Sequence, residues 1–146
     1  MLRGNAPATI DGKGRLKIPT SFRRTIEESH GRDFFITSLN GEGVRLYPFP
    51  VWEKIEAKIA SFPSFEPAVE HLLERISYYG AMASMDAQGR VLIQAHLRES
   101  AEMVERVAVL GKQDHLEVWN DDRIRERMQT HPLTEEDRRI LSGFGL

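Results

Sequence analysis

The chain says the same thing twice, and that constrains its fold more than any other feature. Ala8-Thr-Ile-Asp-Gly-Lys-Gly-Arg-Leu-Lys-Ile-Pro-Thr-Ser-Phe-Arg23 aligns without a gap on Ala83-Ser-Met-Asp-Ala-Gln-Gly-Arg-Val-Leu-Ile-Gln-Ala-His-Leu-Arg98, with six identities in sixteen positions. Ordinary residue usage would give about one. The correspondence continues more loosely, Phe34-Phe-Ile-Thr-Ser matching Val107-Ala-Val-Leu-Gly and Gly43-Val-Arg-Leu-Tyr47 matching His115-Leu-Glu-Val-Trp119. At 146 residues the chain has room for one compact domain, or for two small ones that share a core.

Each copy reads as strand, turn, strand, short helix, hairpin. Ala8–Ile10 and Arg15–Ile18 are short extended runs, and Asp11-Gly-Lys-Gly14 between them has the composition of a turn. Asp11 and Asp86 are placed to accept from their own backbone two residues on. Gly14 and Gly89 fall where the turn needs a positive φ, which glycine adopts without steric penalty. Pro19 ends the second strand. Thr20–Glu28 suits a helix with Phe22 and Ile26 on one face, and Ala95–Arg106 is its expected counterpart, with Leu97 and Val104 inward. Asn40-Gly41 marks one hairpin and Gly111-Lys-Gln-Asp114 the other.

The helical stripes lie outside the copies. Trp52, Ile55, Ile59 and Phe62 share a face over Pro50–Phe62, and Val69, Leu72, Leu73 and Ile76 do so over Ala68–Ser77. Asp121–Gln129 and Leu133–Leu141 follow the second copy, with Thr134 and Asp137 spaced like a capping box. These stripes are expected to pack on the β framework. The resulting organisation is repeat 1 over 5–51, inter-repeat helices over 52–79, repeat 2 over 80–123 and a helical tail over 124–146.

Charge separates the two copies. The chain is net −2, yet Met1–Arg24 carries Arg3, Lys13, Arg15, Lys17, Arg23 and Arg24 against Asp11 alone. Positive charge concentrated at one end suits a phosphate-facing surface, since each neutralised phosphate releases condensed counterions. The matching window of repeat 2 holds only Arg90 and Arg98 against Asp86. Arg15 and Arg90 follow their aspartates by four residues and could also simply pair with them.

Other chemistries find little support. There is no cysteine, hence no disulfide, thiolate metal site or Cys nucleophile. The five histidines lack metal-ligand spacing, no Gly-x-Ser-x-Gly elbow occurs, and Gly12-Lys13-Gly14 lacks the spacing of a phosphate-binding loop. Neither an enzyme nor a cofactor is expected. No stretch approaches eighteen apolar residues and the first residues lack a signal-peptide core, so the expectation is a cytoplasmic protein with no membrane partner.

A chain opening Met-Leu-Arg-Gly, with Asp11-Gly-Lys-Gly-Arg15-Leu-Lys-Ile-Pro19 and later Asp86-Ala-Gln-Gly-Arg90-Val-Leu-Ile, resembles the MraZ family of bacterial regulators. These are double-copy members of the SpoVT-AbrB, or AbrB-like, superfamily. The resemblance implies an α+β, mainly β fold: a swapped-hairpin, double-psi-type β-barrel built from the two repeats and flanked by amphipathic helices. It implies a nucleoid-associated transcriptional regulator of the division and cell-wall gene cluster, binding repeated elements in double-stranded DNA as a homo-oligomeric ring. By carry-over Arg15 is the DNA-contacting arginine and Arg90 its partner position, with Lys13, Arg3 and Lys17 as supporting cations. Asp11, Gly14, Asp86 and Gly89 would form the turns. Gln94 stands where proline is common and Leu2 where an aromatic is common. An AbrB-like antitoxin or transition-state regulator with a protein partner, and a ring-forming scaffold, are the alternatives.

Overall fold

The computed structural model describes residues 1–146. The chain runs β1 (Leu2–Thr9), β2 (Arg15–Lys17), α1 (Thr20–Ser29), β3 (Asp33–Thr37), β4 (Val44–Pro48), α2 (Phe49–Ala60) and α3 (Pro67–Tyr79). It then repeats the order as β5 (Ala81–Ser84), β6 (Arg90–Leu92), α4 (Ala95–Ser100), β7 (Arg106–Gln113), β8 (Leu116–Asn120), α5 (Asp121–Thr130) and α6 (Glu135–Gly143). Six strands form one antiparallel sheet in the order β1-β7-β8-β4-β3-β5, and β2 pairs with β6 in a separate ribbon.

The strand order is a swap. The leading strand of repeat 1, β1, pairs with β7 of repeat 2, and β5 of repeat 2 pairs with β3 of repeat 1. The two hairpins meet at β4–β8. This is the AbrB-like α+β arrangement, carried by an open sheet and a crossing ribbon rather than by one closed ladder. Neither repeat completes its hairpin sheet without the other, which is why one core of twenty buried residues draws on both, from Leu16, Ile18 and Phe34 to Val91, Ile93 and Leu116.

Three elements differ from their sequence reading; β7 runs through Gly111 to Gln113, so its hairpin turns at Asp114 and His115 rather than over Gly111–Asp114. β1 spans eight residues rather than three, although Gly4 and Pro7 interrupt any apolar pattern. It is an edge strand, where a residue lacking an N–H can sit with that side outward. The helix expected over Ala95–Arg106 stops at Ser100. Glu102 and Glu105 take positive φ (52° and 49°), turning the chain so that Met103 is buried and Val104 lies 66% exposed.

Each repeat also carries its own pair of trailing helices. α2 and α3 cover the outer face of β3 and β4, where Tyr47, Trp52 and Ile76 are buried together and Phe35 stacks on Trp52 at 4.4 Å. In repeat 2, α5 packs on β7 and β8, with Arg127 lying 5.4 Å over the Trp119 ring. α6 has the capping box predicted for Thr134 and Asp137, yet buries no residue. Ile140, Leu141 and Phe144 repeat the spacing of Leu72, Leu73 and Ile76 in α3, but Phe144 is 81% exposed where Ile76 is buried. The expectation that every stripe packs on the β framework therefore fails at α6.

Candidate nucleic-acid interface

Alternation along the ribbon decides what faces outward. Leu16 and Val91 are cross-strand partners and both are buried in the core. Successive side chains point to opposite faces, so Arg15 and Lys17 on β2, with Arg90 and Leu92 on β6, form the outer face. The register pairs Arg15 with Leu92 and Lys17 with Arg90. A one-residue slip would drive Arg15 and Lys17 into the core in place of Leu16, so the register is strongly specified.

The two turns are near copies. Asp11 Oδ1 accepts the backbone N–H of Lys13 (3.0 Å) and of Arg15 (2.9 Å), while Oδ2 accepts Arg15 Nε at 2.8 Å. Asp86 Oδ1 accepts from Gln88 N and Arg90 N, both at 2.9 Å, and Oδ2 from Arg90 Nε at 2.9 Å. The backbone N–H of Arg15, followed by its guanidinium and the N–H of Lys13, holds the Asp11 carboxyl below its ordinary pKa against the opposing effect of burial. The N–H of Arg90 leads in the same way at Asp86. Gly14 (φ 85°) and Gly89 (φ 78°) have the predicted positive φ.

The aspartates and glycines thus build the turn, and the pairing alternative for the arginines is realised through Nε alone. That bond orients each guanidinium and leaves its two terminal nitrogens with no partner in the chain. Arg15, Lys17 and Arg90 come together with Thr9, Asp11 and Gln88 around an open concavity of about 400 Å³ without an apolar lining residue. Lys13 is exposed at the tip of the turn. Arg3 lies six residues before Thr9 on β1, roughly 20 Å away along an extended strand, and does not join this group.

Two residues counted above only as charge have a different place. Arg23 of α1 donates from Nε to Glu27 (2.9 Å) and from a terminal nitrogen to the carbonyl of Ala87 (2.9 Å), in the other repeat's turn. Arg98 of α4 donates from Nε to the Ile93 carbonyl at 2.8 Å and lies against Gly14. Their signal was present in the sequence, since Arg23 and Arg98 are one of the six identities. No group of three or more His, Cys, Asp or Glu side chains is placed to hold a metal ion, and no helix is long and apolar enough to cross a membrane.

The sequence profile of the MraZ protein family, described as antitoxin-like, matches the chain twice, over residues 1–75 and 81–142. Each matched segment contains a turn and a hairpin, and each reaches into the helices that follow. A protein of Acidobacterium capsulatum named transcriptional regulator MraZ is 48% identical over 146 residues, covering 100% of both chains. One of the same name from Koribacter versatilis is 45% identical over 147 residues, again covering both completely. Another from Nitrosomonas europaea is 37% identical over 120 residues, covering 82% of this chain and 81% of its own. With its doubled motif, its swapped hairpins and full-length similarity of this order, the chain belongs to the MraZ family.

Proposed function

We propose that this chain is a sequence-specific DNA-binding transcriptional regulator, not an enzyme, and that it reads repeated promoter elements of the division and cell-wall gene cluster through the β2–β6 ribbon. The observation that carries this reading is the outer face of that ribbon. Two guanidiniums, each held by its aspartate through Nε (2.8 and 2.9 Å), keep their terminal nitrogens free, with Lys17 directly opposite Arg90 in the register. A guanidinium presenting two parallel donors matches the O6 and N7 acceptors of guanine in the major groove. Lys13 and Lys17 supply the phosphate contacts that position the turn, which carry the salt dependence. Relatives named transcriptional regulators, similar over the full chain, support the same reading.

Binding in this account is multivalent. A chain of net charge −2 has little long-range attraction for DNA, and one ribbon offers few contacts. Several copies in a closed homo-oligomeric ring would turn later contacts into intramolecular ones. The exposed apolar residues Phe62, Phe65, Tyr78 and Phe144, together with Ile140, are the surfaces such a ring would use; Tyr79 is half-buried against the core and contributes less. The test combines light scattering with titration of duplexes from the chain's own upstream region carrying one, two or three repeats. Affinity should rise steeply with repeat number and the protein should be oligomeric. A monomer, or affinity indifferent to repeats, would reject the multivalent mechanism, and binding to a protein partner without DNA would favour the antitoxin reading.

A further inference from the structure

We infer that Arg98 and Arg23 are crossed positioning residues: each holds the reading turn of the opposite repeat, so Arg98 of repeat 2 sets Arg15 and Arg23 of repeat 1 sets Arg90. The inference rests on the ribbon being the DNA-reading face.

The crossing is built from main-chain bonds as well as side chains. The Ile93 N–H donates to the Gly14 carbonyl at 3.0 Å, and the Ile18 N–H donates to the Gly89 carbonyl at 2.9 Å. Each turn glycine is therefore tied to the strand end of the other repeat. Arg98 is anchored within its own repeat by donating to Ile93 O, and it meets the first turn by contact, its guanidinium filling the space where a Gly14 Cβ would sit, with Nη2 2.8 Å from that position. Arg23 occupies the equivalent space under Gly89, its Cδ 2.8 Å from where a Cβ would lie, and donates to Ala87 O. Both glycines are favoured by their positive φ, and a Cβ at either would also push the neighbouring arginine aside.

The two braces are unequal. The second turn has a further guanidinium on its main chain, Arg32 Nη1 donating to Asp86 O at 3.4 Å. The position that corresponds to Arg32 in repeat 2 is Glu105, whose carbonyl accepts from Ile10 N–H just as that of Arg32 accepts from Met85 N–H. Glu105 has no donor to offer the first turn. Arg98 is then the one side chain from the other repeat that braces the Arg15 turn, whereas Arg23 shares its task.

The test uses Arg98→Lys and Arg23→Lys in the full chain, which keep the charge near DNA but remove the planar guanidinium. In the free protein, hydrogen exchange in Arg98→Lys should quicken at the amides of Lys13, Gly14 and Arg15 and stay unchanged at Gln88, Gly89 and Arg90. Arg23→Lys should give the reverse, with a smaller change. With upstream-region duplex, Arg98→Lys should weaken binding about threefold or more in the wild-type and Arg90→Ala backgrounds, and by less than about twofold once Arg15 is already alanine. Exchange that changes in the variant's own repeat, or in both turns equally, would overturn the crossing. An equal loss in all three DNA backgrounds would reduce Arg98 to a structural role. If wild-type protein does not bind the duplex, the DNA-reading premise fails while the exchange result still decides the brace.

Discussion

Replacing Arg15 by alanine separates reading from folding. The Arg15–Asp11 ion pair is about one-third exposed on both sides (32% and 37%), and water screens such a pair so that it adds little to stability. Alanine keeps the two backbone N–H groups that Asp11 accepts and leaves Leu16 buried beneath. The fold should therefore lose no more than about 1 kcal/mol, a shift of roughly 2–4 °C in Tm for a chain of this size. The DNA side is larger. A bidentate arginine–guanine contact discriminates by roughly 1–3 kcal/mol, or about 5- to 150-fold in Kd, at each engaged subunit. Fluorescence anisotropy with a labelled upstream duplex and a scrambled control, at one fixed salt concentration, measures it beside a thermal melt. Arg15→Lys should also lose discrimination but keep more of the nonspecific binding, because it retains charge without the fork. An Arg15→Ala protein that melts far below wild type yet still distinguishes the two duplexes would refute this reasoning.

Arg90→Ala should weaken specific binding less than Arg15→Ala, because Gln88 and Leu92 stand where the first copy has Lys13 and Lys17; equal losses at matched salt would contradict it. Gly14→Ala should cost about 1–3 kcal/mol in a melt, since alanine is strained at φ 85° and its Cβ would displace Arg98. Stability should fall in acid. Burial opposes the charge on Glu117, but His115, the Trp119 Nε1–H at 2.8 Å and Lys112 Nζ at 3.1 Å outweigh it and bring its pKa from 4.5 to about 2. A depressed carboxylate stabilises above its unfolded value, so a contribution of about 1–2 kcal/mol, after solvent screening, is present above pH 4.5 and is lost as pH falls toward 2. Glu117→Gln should flatten that part of a stability-against-pH curve.

The turns were legible because their chemistry is local: Asp11, Gly14 and Arg15 fix one another within five residues, and the repeat printed the pattern twice. β1 is longer than its sequence pattern shows because its pairing with β7 is long-range and its edge position tolerates Gly4 and Pro7, so no periodicity announces it. Helical spacing continues from Leu97 to Val104 and so extends past the true end of α4, while the break depends on two glutamates in a left-handed conformation that glycine usually marks. The crossed placement of Arg23 and Arg98 needed the swap itself. Identity in the alignment flagged both, but only the fold says that each serves the other copy. α6 carries a clear local capping signal, but it buries no residue, so its apolar spacing does not say where it packs.

Hydrogen exchange on the full-length protein, with and without its upstream duplex, tests the central claim most directly. DNA should slow exchange at the backbone of residues 11–17 and 86–92, most strongly around Lys13 and Arg15, and leave α2 and α3 unchanged. Protection confined to α2, α3 or α6, with the ribbon turns exchanging at their free rates while the duplex is bound, would contradict it.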